Sequence, residues 1–178
     1  MSPRNSAGNT RYGQLKKRLA RAAKAAENSA VYPLTLYYES ACPLCNAEMT
    51  NLMLRNHGQL LRFVDVSAPG FAAVPPGTSL QDLLDLIHAQ RADGQVVKGV
   101  EVFRLAYEAV GLGGVARALR LPVLGALAKH AYPLLARNRH RIPRSLVRFM
   151  FEGAVRRAAQ RAAQTHCTPE ICTPANPG

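Results

Sequence analysis

The chain has 178 residues and carries 23 Lys/Arg against 11 Asp/Glu, a formal net charge of +12 with a sequence pI near 10.2. That length suits one domain with its own core, and since aromatics are only 6% and tryptophan is absent, aliphatic side chains and alanine must fill it. Four cysteines are too few for a disulfide scaffold, no 18-residue uncharged apolar stretch suggests a membrane span, and the Arg/Lys-rich N-terminus lacks the apolar run of a secretory signal, so a cytoplasmic protein with reduced thiols is expected.

The charge is unevenly placed. Residues 1–30 hold seven Lys/Arg against one acid, residues 31–110 five against eight, and residues 111–178 eleven against two. A mildly acidic centre thus lies between basic flanks, and a basic surface attracts nucleic acid, anionic membrane or acidic proteins without choosing among them.

In chain order, residues 1–13 are rich in Ser, Asn, Gly and Arg and read as a disordered leader. Gln14 to Glu27 reads as a helix. Leu15, Leu19, Ala22, Ala23 and Ala26 gather on one side, and Lys16, Lys17, Arg18, Arg21 and Lys24 cover the rest. Such a helix docks weakly through a small apolar stripe, or presents its charges to a membrane surface or nucleic acid.

An apolar, β-branched and aromatic run from Val31 to Tyr38 reads as a buried strand that breaks at Glu39-Ser40-Ala41. A helical pattern follows, with Cys45, Met49, Leu52 and Met53 on one face and Gly58 as the expected left-handed stop. Cys42 and Cys45 therefore sit where a strand hands over to a helix. At a helix N-terminus unpaired amides and the macrodipole favour a thiolate, the nucleophilic form of cysteine. Pro43 suits the first helical position. Cys45, one turn on and on the same side, is expected to be the more deeply packed thiol. This is the arrangement of an attacking and a resolving thiol, although half a zinc site or a pair of structural thiols uses the same spacing. A zinc site would have to recruit Cys167 and Cys172, more than a hundred residues downstream and spaced differently.

Glu39 stands within reach to take a proton from Cys45 during resolution, or caps the helix N-terminus as an exposed acid. A second strand is expected over Leu60 to Val66, completing a parallel βαβ unit. The Pro- and Gly-rich stretch Ser67 to Thr78 reads as loop and contains Pro75 and Pro76, the candidates for a cis-proline facing the dithiol. A helical turn at Ser79–Leu83, a strand at Leu84–Arg91, an Asp93-Gly94 hairpin and a return strand at Gln95–Lys98 come next. Gly99 then opens a helix to about Val110. Three more helical segments are expected at Val115–Leu119, Val123–Leu135 and Arg144 to about Gln164, with Pro122 and Pro143 marking starts. His57, His88, His130 and His140 show no ligand spacing and read as solvated or helix-end residues. Thr168 to Gly178 reads as a mobile tail, and Cys167 and Cys172 beside His166 as exposed thiols, a second disulfide or metal ligands.

Glu39-x-x-Cys42-x-x-Cys45, preceded by Leu36-Tyr37-Tyr38, resembles the Asp-x-x-Cys-x-x-Cys signature of the DCC family of thiol-disulfide oxidoreductases, with Glu39 in place of the aspartate. Arg62 to Val66 is similar to that family's second strand, Asp93 to Gly99 to its Asp-Gly hairpin, and Tyr132 to Ala136 with Asn138 and Arg139 to its Tyr…Ala-x-Asn-Arg ending. The resemblance runs from about Pro33 to Arg141. It implies a thioredoxin-like fold, redox activity and a structural role for Asn138 and Arg139.

The expectation is therefore an α/β protein with a thioredoxin-like sheet, extra C-terminal helices and a basic N-terminal helix. Its division would be a 1–30 extension, a 31–141 core domain, a 142–166 basic helix and a 167–178 tail. Thiol–disulfide exchange through Cys42 and Cys45 is the expected chemistry, with no cofactor beyond the redox-active dithiol itself. A disulfide-bearing protein or small thiol would be substrate, and an unspecified thiol electron donor would reset the pair. A binding module for nucleic acid or anionic membrane, or a zinc protein, is the alternative.

Overall fold

The computed structural model describes residues 6–166, with side chains from 13 to 161. Helix α1 (Ser6–Val31) leads into strand β1 (Leu34–Tyr38), helix α2 (Pro43–Met53) and strand β2 (Leu61–Asp65). Helix α3 (Leu80–Asp85), strands β3 (His88–Gln90) and β4 (Val96–Lys98), and helices α4 (Val100–Ala109), α5 (Gly113–Arg120) and α6 (Pro122–Asn138) follow. A 3-10 turn at Arg139–Arg141 and helix α7 (Arg144–His166) complete the described chain.

The four strands lie in the order β2-β1-β3-β4. β1 runs parallel to β2 and antiparallel to β3, which pairs antiparallel with β4. A βαβ unit followed by a hairpin and a helix is the thioredoxin-like arrangement. Alternation along β1 assigns the two sheet faces. Leu34 and Leu36, both fully buried, pack with Met49 and Leu52 of α2 and Val102, Leu105 and Ala106 of α4. Tyr37 points the other way, into a smaller cluster with Val66 and Leu83. Truncating any one of the sealed leucines to alanine costs about 2–5 kcal/mol.

Several local expectations need correction. α1 begins at Ser6 and ends at Val31, not at Gln14 and Glu27. No proline interrupts the stretch from Arg4 to Tyr32, and a helix once nucleated extends at little cost through small polar residues. Residues 6–13 are thus helical, while 1–5 lie outside the described residues. Leu15 and Leu19 are 55% and 62% exposed, so the leucine stripe docks on nothing within the described chain. Among the described residues the C-terminal end is fastened, where Asp93 N–H donates to Ala30 O at 2.9 Å and Lys24 lies 3.6 Å from Glu108. β1 accordingly starts at Leu34, after a cis Tyr32–Pro33 peptide, and Pro75 and Pro76 are not cis.

α2 stops at Met53, where Leu54 caps it, and the positive φ falls on Gln59 (52°) rather than on Gly58. Met53 is 40% exposed; Glu48 and Asn51 share the buried side of α2 with Met49 and Leu52. β3 is shortened because α3 claims Leu84 and Asp85, started by a reciprocal cap between Ser79 and Asp82. His88 is not solvated: it is 5% exposed in β3, with its Nδ1 2.9 Å from Leu86 O. Asp93-Gly94 does turn the hairpin, with Gly94 at φ 86°, and Gly99 at φ 68° opens α4.

Candidate active site

The parallel register sets Tyr38 beside Asp65, so the ends of β1 and β2 lie together just before the cysteines. Asp65 Oδ1 accepts hydrogen bonds from Ser40 N–H (3.1 Å), Ser67 N–H (2.9 Å) and Ser67 Oγ–H (2.6 Å). Burial raises the Asp65 pKa, but the bonds from Ser40 and Ser67 outweigh it and hold the carboxyl at about 2. An ionised Asp65 thereby fixes the turn that delivers Cys42.

Cys42 is the N-cap of α2, with extended backbone (φ −82°, ψ 116°), and Pro43 begins the helix. Its sulfur accepts from Cys45 N–H at 3.4 Å, as an N-cap oxygen would. Cys45 Sγ–H also donates to Cys42 Sγ across 2.7 Å. That side-chain bond is the main cause lowering the Cys42 pKa to about 6; burial opposes it, and Cys45 N–H, Arg139 and His140 add to the lowering. The same bond, burial and the Cys42 charge push the Cys45 thiol up. One proton is therefore held between two sulfurs, on Cys45.

The burial of the pair reverses the expectation. Cys42 has no exposed surface, whereas Cys45 is half-buried. The 3-10 turn and α7 of the C-terminal segment both pack on α2, the helix that Cys42 caps. Val147 of α7, itself buried, lines a cleft with Pro43, Asn46 and Ala47.

Glu39 reaches this segment from the other side. Its Oε2 accepts from Arg139 Nη2 at 2.7 Å and lies 3.3 Å from His140 Nε2, and the side chain is 15% exposed. Arg139, 7% exposed, also donates to Leu84 O. The Glu39 carboxylate thus joins the dithiol turn to the 3-10 turn and α3, and its bonds are to Arg139 and His140 rather than to the amides of α2. The structural role implied for Arg139 fits this clamp; among the described residues the Asn138 side chain donates to the Leu134 carbonyl of its own helix.

Beside Cys45 lies a cavity of about 230 Å3 lined by Tyr37, Met49, Phe103, Tyr107, Tyr132 and others, mostly apolar. Glu48 also lines it. Burial raises the Glu48 carboxyl to about 7 against a Tyr107 hydrogen bond and the Arg55 charge. Its Oε1 is buried without a hydrogen-bond partner. Glu48, Asp65 and Tyr107 were not given a site role from the sequence, and His140, read there as a solvated or helix-end residue, lies against Glu39. Glu48 was the most accessible of these, since it stands three residues after Cys45 and so on the same helical side.

Among the described residues no group of three or more His, Cys, Asp or Glu is placed to hold a metal ion. Cys167 and Cys172 lie outside the described residues. Among the described residues no helix is long and apolar enough to cross a membrane.

A strand-to-helix turn presenting a thiolate and a hydrogen-bonded thiol is where comparison with known proteins becomes informative. Residues 36–145 match the sequence model of the DCC1-like thiol-disulfide oxidoreductases. The chain belongs to this family. It is also 39% identical over 111 residues to "Uncharacterized protein At5g50100, chloroplastic" of Arabidopsis thaliana, a match covering 61% of this chain and 51% of that protein. The chain thus spans about half the length of that relative. No solved structure matches. Family membership supports a redox role, and the match runs from within β1 through the dithiol and α6 to the Arg139 clamp and the start of α7.

Proposed function

We propose that the protein carries out thiol–disulfide exchange, with Cys42 attacking and Cys45 resolving. The observation that carries this reading is the 2.7 Å contact between Cys45 Sγ and Cys42 Sγ, with Cys42 capping a helix. The Cys42 thiolate attacks one sulfur of a substrate disulfide and expels the other as a thiolate, forming a mixed disulfide. Cys45 then loses its proton and attacks Cys42 Sγ, releasing the second substrate sulfur. The protein pair is oxidised by two electrons and the substrate is reduced by two. A second thiol or dithiol resets the pair, so the redox equivalents reside on Cys42 and Cys45 themselves.

Glu39 acts here by position. By holding Arg139 beneath the turn it keeps a cation near Cys42, and Arg139 in turn lowers the pKa of both thiols.

The test is a redox titration of the folded protein in glutathione buffers, with mass-shift alkylation counting free thiols at each cysteine. A reversible two-electron transition confined to Cys42 and Cys45, and loss of disulfide reduction in Cys42→Ser, are expected. Closure of the pair only in unfolded protein, or full activity in Cys42→Ser, overturns the reading.

A further inference from the structure

Helix α6 is apolar on both of its sides. At 3.6 residues per turn Gly125 and Ala136 share the side that faces inward, and both are buried. Val123, Leu127 and Leu134 fall on the opposite side and are 76%, 63% and 63% exposed. The two buried positions agree across Pro133, so the helix keeps this register along its length. Leu124 and Leu135, also exposed, extend the apolar side along one edge, while His130 and Arg137 border the other. A row of branched aliphatic side chains held out from a helix marks a surface that meets an apolar partner.

The charge around this row has one sign. Between Glu108 and Glu152 the sequence holds no Asp or Glu, against eight Lys/Arg. Arg120 is paired with Glu108, and Arg139 with Glu39. The other six, Arg117, Lys129, Arg137, Arg141, Arg144 and Arg148, are exposed and make no ion pair among the described residues.

We propose that the outward side of α6 docks on an anionic lipid surface, with Val123, Leu127 and Leu134 at the acyl boundary and the unpaired cations among the headgroups. This docking does not depend on the chemistry of the cysteines. A helix lying in a membrane interface buries just such an apolar row, and long cationic side chains at its edge reach back to the headgroup layer. A plane of negative charge would repel a carboxylate anywhere along the surface, which fits a stretch free of acids from end to end; a protein partner constrains charge only where it touches. Single-stranded nucleic acid is held on aromatic platforms, whereas the outward row of α6 is aliphatic. A second copy of the chain would set the same cations against each other.

The experiment measures co-sedimentation of the full-length protein with phosphatidylcholine vesicles, plain or with about one-third phosphatidylglycerol. Binding to the anionic vesicles is expected, falling steeply with salt, with little binding to the plain ones. Leu127→Gln with Leu134→Gln should weaken it about a hundredfold, about tenfold for each side chain withheld from hydrocarbon. Arg137→Gln with Arg141→Gln should weaken it about 25-fold, about fivefold for each charge. Both leucines are exposed, so their replacement should leave the thermal midpoint and the dithiol titration unchanged. Because the chain has no tryptophan, Leu127→Trp introduces a single fluorophore and keeps the apolar contact. Its emission should move to the blue on anionic vesicles and be quenched by lipids brominated in the acyl chains. No binding to anionic vesicles at low salt, unchanged binding by the leucine variant, or an unmoved Leu127→Trp emission overturns the docking face. Equal binding to plain vesicles overturns the charge complementarity. Binding of an oligonucleotide in the same salt that is lost in the leucine variant assigns the face to nucleic acid and overturns the lipid proposal.

Discussion

Replacing Cys45 with alanine separates the causes that hold Cys42 as a thiolate. In the wild type the largest is the S–H donated by Cys45 across 2.7 Å, and the remaining favourable contributions come from Cys45 N–H, Arg139 and His140. The variant keeps those lesser contributions and keeps the burial that opposes ionisation. With the main donor gone and burial unchanged, the Cys42 pKa should rise from about 6 towards its ordinary value of 9.0. A wild-type thiol at about 6 is roughly 90% ionised at pH 7, whereas one above 8 is less than about 10% ionised, a difference of at least about 2.7 kcal/mol between the two forms. Ultraviolet thiolate absorbance across a pH titration, with Cys42→Ser as the blank, reads this directly. It avoids alkylating agents, whose access to a sealed sulfur would confuse the result. A Cys45→Ala protein that still titrates near 6 would refute the reasoning, because the helix terminus and the two basic residues would then suffice.

Arg139→Met should destabilise the fold by about 3 kcal/mol, since it strands the 15%-exposed Glu39 carboxylate, and adding Glu39→Gln should recover much of the loss in denaturant titrations. Glu48→Gln should flatten the stability profile between about pH 4.5 and 7: the wild-type carboxyl is held protonated in the fold while the unfolded chain ionises, so stability falls through that window by up to about 3 kcal/mol. Asp65→Ala should cost about 1–3 kcal/mol by leaving the Ser40 and Ser67 amides without their acceptor, and should abolish the loss of stability that the depressed Asp65 pKa imposes as pH falls from about 4 towards 2. Gly125→Ala would set a Cβ 2.6 Å from the Leu119 carbonyl oxygen, a backbone atom that cannot swing aside, and should lower the thermal midpoint by forcing α5 and α6 apart, at about 1–3 kcal/mol.

Where local chemistry decides, the sequence reads correctly. Pro43 and Cys42 mark the start of α2, Asp93-Gly94 turns the hairpin, and Pro122 opens α6, each because one residue type satisfies a specific backbone need. The parallel βαβ unit and the hairpin after it were legible from the same elements, while the strand order β2-β1-β3-β4 is seen in the structure. The site was legible as a pair of thiols with Glu39 nearby, but not as a burial pattern. Cys42 is fully buried, and the 3-10 turn and α7 that pack on the helix it caps come roughly a hundred residues later, so no periodicity within α2 carries that information. The face of α2 was misread for a related reason. Hydrophobicity placed Met53 inside, while Glu48 and Asn51 are buried because Tyr107 and Arg55 give them polar partners there. His88 was misassigned likewise, its ring accommodated by the Leu86 carbonyl.

The sealing of Cys42 shifts what limits its chemistry. In an exposed dithiol the rate follows the thiolate fraction and the intrinsic nucleophilicity, which trade against each other as the pKa falls. Here the thiolate is already the major form at neutral pH, so further lowering would gain almost no thiolate and would weaken the nucleophile. What remains adjustable is approach to the sulfur. The cavity beside Cys45, the half-buried thiol of the pair, is walled by side chains of α2, α4, α6 and α7 that lie far apart in sequence.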